Sequence, residues 1–321
     1  METGVAEGES PGMASVPMLV LVRGAPLYPA VLESIPDPPE CLWVRGRLDL
    51  LRELGAGLAV AVVGSRDASA YGISVAGRFG AGLASLGVTV VSGLARGIDA
   101  AAHRAALIAG GPTAAVLATG IDRVYPAEHR DLAERIAAEG LLLTEFPPGT
   151  PPLRHHFVLR NRLISGLSLA VVVVEAAERS GALMTARLAG EQGREVFAVP
   201  GPAGAGRSAG PHRLLREGAG LVESVKDLVQ ALPPLALLAR PVSPGRMAPR
   251  GEPGEGKAAL PEPSSRAVEI LRALEELPRS LDELVEILGR PVWEISREIS
   301  CLEVHGRVSR GPAGRFMRGG F

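Results

Sequence analysis

Nine consecutive residues, Arg154 to Arg162 (RHHFVLRNR), hold three arginines, two histidines, Asn161 and Phe157. Aromatic residues make up only 3% of the chain, so a ring set among cations stands out. Arginine neutralises phosphate, and a ring offers a stacking face to an unpaired base, a contact of ~1–3 kcal/mol per base. Arg154, Arg160, Asn161 and Arg162 with Phe157 therefore have the make-up of a single-strand nucleic-acid contact. On residue type alone Phe157 reads equally well as a core ring. His155 and His156 have no further histidine or cysteine at ligand spacing, so no metal is expected, and the segment reads as a solvated basic loop.

Two glycine-rich turns supply a second chemistry. Gly64-Ser65-Arg66 follows one apolar run and Ser92-Gly93-Leu94-Ala95-Arg96-Gly97 follows another. Glycine lets a phosphate approach the backbone, helix N-termini present unpaired N–H groups, and Arg66 adds a fixed cation with bidentate geometry. Glycine after a strand also serves a tight turn, so glycines alone do not decide. Further along, Ser180-Gly181 opens a helix on the same pattern and is a candidate contact. A third basic stretch, the expected loop from Pro202 to Arg216, carries Arg207, His212, Arg213 and Arg216.

Catalytic groupings are not evident. Asp99 and His103 lie one helical turn apart, but no nucleophile or third partner accompanies them, which favours a capping or packing role. Neither a G-x-G-x-x-G after the first strand nor a G-x-x-x-x-G-K-[ST] occurs. No catalytic residue, metal or cofactor is expected.

The elements that must position these groups follow a regular alternation. Ala59–Val63 and 88–91 are short β-branched runs flanking a helical stretch from Tyr71 to Leu86 that ends at Gly87. Strands are expected at 113–118, 141–144, 169–174 and 195–199, with helices at 130–139 and 181–192. This predicts an α/β fold, an extended Rossmann-like, doubly wound, mostly parallel sheet, whose polar turns collect at one edge. Residues 17–22 and the proline-broken stretch from Leu27 to Trp43 read as strand and loop leading into it.

The ordered motifs VGSR, YG, VSGLARGIDAAAH, TGIDRVYP, RNRLISGLS, VVEAAERSGALMTA and VFAVPG strongly resemble the DprA/Smf (DNA-processing protein A) family of bacteria, over residues 20 to 232. The resemblance implies a non-enzymatic protein that binds single-stranded DNA, protects incoming strands in natural transformation, helps load the recombinase RecA and works as a homodimer. It also places base contact on Phe157 and phosphate contact on Arg154. Two departures are Val158, where the family often has proline, and Pro211-His212, where it usually has asparagine.

The remainder sets bounds. The 321-residue chain is 46% hydrophobic with a net charge of −1, so any polyanion must be met by local patches. Cys41 and Cys301 are too few for a disulfide scaffold, no apolar run reaches the ~20 residues of a membrane helix, and the first 17 residues lack a secretory pattern. A cytoplasmic protein is expected, with residues 1–17 disordered. The proline- and glycine-rich stretch 233–264 predicts a flexible tether. Residues 265–321 predict a winged helix: a first helix over 266–276, a second to Leu288 opened by a Ser280/Glu283 capping box, a third over 291–304, and a hairpin. The third helix carries Glu294, Glu298 and Glu303 against Arg297, which argues against major-groove reading, and leaves Arg307, Arg310, Arg315 and Arg318 as the basic part. Two alternatives stay open: a Rossmann-like nucleotide hydrolase of the phosphoribohydrolase type, and a purely structural adaptor.

Overall fold

The computed structural model describes residues 18–233, 235, 265–275, 277–290, 295, 298, 299, 302, 307–311 and 315–318. The expected disordered start and nearly all of the tether lie outside these residues. The chain divides into two compact units, Met1–Ser243 and Pro244–Phe321.

The first unit is a nine-stranded sheet: β1 (Met18–Val22), β2 (Cys41–Gly46), β3 (Ala59–Val63), β4 (Thr89–Ser92), β5 (Thr113–Val116), β6 (Leu141–Thr144), β7 (Ala170–Val173), β8 (Glu195–Ala198) and β9 (Gly220–Leu221). Their order is β1-β2-β6-β5-β4-β3-β7-β8-β9. The seven strands from β6 to β9 run parallel, and β2 and β1 add an antiparallel edge. The chain builds outward from β3 in one direction, then returns to start β7 on its other side. The point between β3 and β7 is therefore the topological switch, where open α/β sheets form a crevice beyond the carboxyl ends of the strands.

Helices cover both faces because the strands are apolar on both. Val60, Val62 and Val90 pack with α2 (Ala70–Ser85) and α3 (Ile98–Ile108), while Ala61, Val63 and Val171 pack with α5 (Arg154–Gly166) and α6 (Gly181–Glu191). The period-2 alternation of a strand sends neighbouring residues to opposite cores. The remaining helices are α1 (Leu50–Gly55), α4 (Arg130–Glu139), α7 (Ala209–Arg216) and α8 (Val225–Ala231). The Ser69 side chain caps α2 by accepting from the Gly72 N–H at 3.0 Å, a contact of ~1 kcal/mol. No helix among the described residues is long and apolar enough to cross a membrane.

Two expected loops are helical. Residues 154–162 form the first turns of α5, whose buried Leu163 and Ile164, with Leu167 at its C-cap, continue the apolar spacing beyond the basic cluster. The stretch 202–216 ends in α7, which tolerates Pro211 because the first turn has no intrahelical use for its missing N–H.

In the second unit, α9 (Ser265–Ala273) and α10 (Leu281–Leu288) are followed by a hairpin of β10 (Val308–Arg310) and β11 (Phe316–Arg318). The capping box is present: the Ser280 side chain accepts from the Glu283 N–H, and the Glu283 carboxylate accepts from the Ser280 N–H at 2.8 Å. Of the expected third helix, Ile295, Ile299 and Leu302 are described and buried in the unit's core. Glu294, Arg297 and Glu303 lie outside the described residues. Two wing arginines are not free: Arg315 pairs with Glu283 at 2.9 Å and Arg318 with Glu275 at 2.5 Å.

Candidate nucleic-acid interface

At the switch point, a cleft of about 520 Å³ opens between the turn after β3, the turn after β7 and the exposed side of α5. Gly64, Ser65, Arg66, Arg154, Phe157, Arg160, Asn161, Arg179, Ser180 and Gly181 all line it. Residues more than a hundred positions apart in the chain thus meet in one trough. Helical geometry explains how α5 contributes: Arg154, Phe157 and Asn161 are spaced three and four apart and share one face.

The charges at the cleft are sorted. Arg66, Arg154 and Arg179 have no ion-pair partner among the described residues. Around them, Arg96 is held by Glu128, Arg162 by Glu145 and Asp37, Arg207 by Asp67, and Arg213 by Glu217. Three uncompensated guanidinium groups around one cavity make a site for a polyanion. The start of α5 adds to this, because the Arg154 guanidinium stands at the positive end of the helix with no acid in its first turn. A cation there works against the macrodipole, at ~0.3–1 kcal/mol, and an incoming phosphate relieves that.

Phe157 is half-buried, with the Arg66 guanidinium carbon 5.1 Å from its ring centroid. Tyr125 meets it edge-on, with centroids 5.4 Å apart and planes at 66°. Tyr125 is not among the expected contacts, although it stands in the TGIDRVYP motif as one of only three tyrosines.

Arg160 has a different place from its neighbours on α5. It is 3% exposed, and its guanidinium donates to the carbonyls of Gly93, at 2.8 Å, and Val116. Burial lowers its pKa to about 10, against the opposing pull of Asp99, so it remains a cation at neutral pH. Its work is to fasten α5 to the ends of β4 and β5. Gly93 accommodates this group: a Cβ there would lie 2.2 Å from the guanidinium. Arg162 leaves the cleft altogether and pairs at the other side of α5. Asn161 reaches the Gly181 carbonyl at 3.4 Å.

The turn after β4 is closed by the protein itself. Asp99 accepts from the Gly93 N–H at 3.1 Å and the Ala95 N–H at 3.4 Å, taking the position an anion would occupy. Burial pushes the Asp99 carboxyl up, while Arg160 and these two N–H groups pull it down. The Ser92 hydroxyl is buried and donates to the Val62 carbonyl at 2.7 Å. Between them Leu94 adopts a left-handed φ of 57°, and its carbonyl accepts from His129 Nδ1 at 2.9 Å. Gly97, with φ of 72°, crosses so close to the β3 turn that a Cβ would meet the Ser65 carbonyl at 2.2 Å. In the same way Glu175 fills the start of α2, accepting from the Ser69 N–H at 2.9 Å and from its hydroxyl. Of the anion positions expected from the glycine turns, the one at Gly93 is thus occupied. The start of α6 is open: the Ser180 side chain caps Ala182, and nothing lies within 4 Å of where a Gly181 Cβ would stand.

His103 does not meet Asp99. Thr113 donates its hydroxyl proton to the Val90 carbonyl at 2.8 Å, so it can only accept from His103 Nδ1, at 2.7 Å. His103 Nε2 is buried without a partner, and burial pulls the imidazole pKa down to about 3. Both residues are structural, as their spacing without a third partner suggested. Among the described residues, no group of three or more histidines, cysteines and acids could hold a metal ion.

Comparison with known proteins places this architecture. Residues 19–233 match the family model of DNA recombination-mediator protein A, and residues 255–314 match that of the DprA winged helix domain. The chain is 42% identical to protein Smf of Escherichia coli over 288 residues, covering 89% of this chain and 74% of that protein. It is 44% identical to DNA processing protein DprA of Bacillus subtilis over 206 residues, covering 64% of this chain and 68% of that one. Among solved structures, DprA from Streptococcus pneumoniae superposes with a TM-score of 0.62 at 41% identity, covering 68% of this chain and 75% of that one. DprA from Helicobacter pylori, described for its single-stranded DNA binding mode, superposes with a TM-score of 0.61 at 28% identity, covering 68% and 96%. Since both the Rossmann-like core and the winged helix match in the same order along one sequence, this chain belongs to the DprA/Smf family.

Proposed function

We propose that this chain binds single-stranded DNA, without catalysis, in the cleft at the switch point of its sheet. The observation that carries this is the convergence of three unpaired arginines, Arg66, Arg154 and Arg179, on a cavity that also holds Phe157. Arg66 and Arg154 meet phosphates, the Ser65 and Ser180 hydroxyls and the Gly181 N–H offer donors, and Phe157 supports a base. Gly64 lets the turn after β3 pack directly against Ile98 and the Glu175 carbonyl, Asn161 orients the α6 turn, and Arg160 holds α5 in place. None of these groups reads a base edge, so binding tolerates sequence. The single-stranded DNA binding described for the Helicobacter pylori relative supports the same ligand class.

By family membership we extend this to protection of incoming single strands and loading of RecA in natural transformation, by a cytoplasmic homodimer formed through the Rossmann-like unit. The turn where a phosphoribohydrolase carries its P-G-G-x-G-T-x-x-E signature reads Glu178-Arg179-Ser180-Gly181-Ala182-Leu183-Met184-Thr185, without the double glycine or the glutamate at that offset, which speaks against the nucleotide hydrolase alternative. The test is binding of an oligo-dT by wild type and by Arg66→Ala/Arg154→Ala. Loss of binding in the variant supports the reading, and unchanged binding overturns it. RecA nucleation on single strands coated with a single-strand-binding protein tests the extension: a shortened lag is expected, and an unaltered lag removes RecA loading from the account.

A further inference from the structure

A second chamber, of about 330 Å³, adjoins the cleft and shares Arg66 and Phe157 with it. Asp67 and Ala95 border both cavities, and Gly93, Arg96, Tyr125 and Pro126 complete the chamber. We propose that this chamber seats a second nucleobase, the neighbour of the base on Phe157, with Tyr125 as its platform. The inference rests on the single-strand reading above and names a residue that reading does not use.

The charge of the chamber separates a base from a phosphate. Arg96 makes two hydrogen bonds to Glu128, both at 2.7 Å, which cancels its charge and fixes its guanidinium plane as a wall. Asp67, also at the chamber, is neutralised by Arg207. Arg66 remains as the cation, and it already lies over Phe157. A neutral planar heterocycle suits two rings, a proline and a paired guanidinium better than a further anion does. Tyr125 is 47% exposed, and its hydroxyl makes no hydrogen bond among the described residues, so the ring is available.

The geometry also selects among strands. The two rings are inclined at 66°, so bases seated on them are turned away from each other and cannot stay mutually stacked. A strand whose bases stack weakly, such as oligo-dT, loses little on entering. A stacked oligo-dA loses more.

The experiment uses the full chain and a dT oligonucleotide carrying one 2-aminopurine at successive positions, with affinities for dT and dA oligonucleotides of equal length. Wild type should quench the probe at two adjacent positions and prefer dT. Tyr125→Ala should lose one quenched position, bind dT roughly tenfold more weakly, and lose the preference for dT over dA. Tyr125→Phe, which keeps the ring, should behave as wild type. If wild type binds and Arg66→Ala weakens binding while Tyr125→Ala matches wild type in affinity and quenching, the second base site is overturned and the single-strand reading stands. If wild type binds no single strand, both fall.

Discussion

The Arg66 guanidinium lies over the Phe157 ring, its carbon 5.1 Å from the centroid, although the two residues belong to a βα turn and to a helix 91 positions apart. One group supplies charge and the other a stacking surface, and the two contributions separate under salt. Removing one phosphate contact from a single-strand complex lowers the slope of log affinity against log salt by about 0.7. Arg66→Ala should therefore weaken oligo-dT binding and flatten the slope by about that amount. Fluorescence anisotropy across a salt series checks this, and an unchanged slope would place Arg66 off the backbone.

Phe157→Ala should act the other way round. Loss of a stacked base costs ~1–3 kcal/mol, while the ionic contacts stay in place. The same titration should show weaker binding at every salt concentration with a slope parallel to wild type.

Arg160 should prove to be a residue of stability first. Arg160→Met leaves the Gly93 and Val116 carbonyls without their donor and Asp99 without a nearby cation. Breaking such a buried arrangement costs ~3–5 kcal/mol, or roughly 10 °C in melting temperature for a unit of this size. Thermal unfolding followed by circular dichroism reads this directly. A variant that melts like wild type yet binds no DNA would contradict the positioning role.

His103 makes the fold sensitive to acid. Its native pKa of about 3 lies below the ordinary value of 6.5, so the unfolded chain takes up the proton first. Stability is then full above about pH 6.5 and declines as the pH falls from there toward 3. His103→Asn keeps a donor for Thr113 and has no such titration. Melting temperatures between pH 7 and pH 4.5 should fall less steeply in that variant than in wild type.

The winged helix should contribute little to single-strand affinity, because Arg315 and Arg318 are engaged by Glu283 and Glu275. Deletion of residues 261–321 should leave most oligo-dT binding and its salt slope intact. Complete loss of binding would refute this.

Much of the scaffold was legible because strand signals are local. β3, β6 and α4 begin and end where their apolar runs and glycine stops place them, and the α10 capping box is written in four residues. What stayed hidden depends on partners far along the chain. A basic cluster at the start of α5 looks like a loop until Leu163, Ile164 and Leu167 are seen to bury its other face. The residue types in that cluster did not reveal that Arg160 turns inward to Gly93, that Arg162 turns away to Glu145, or that Asp99 occupies the Gly93 amide. Tyr125 meets Phe157 only through the fold. The motif containing it carried the signal, yet nothing local tied that ring to the basic helix.

The most direct test of the trough is the affinity of the full chain for a single-stranded oligonucleotide and for a duplex of equal length, measured side by side by mobility shift. Tight, sequence-tolerant binding of the single strand is expected, with much weaker binding of the duplex, whose paired bases cannot reach Phe157. Equal or tighter binding of the duplex would contradict it.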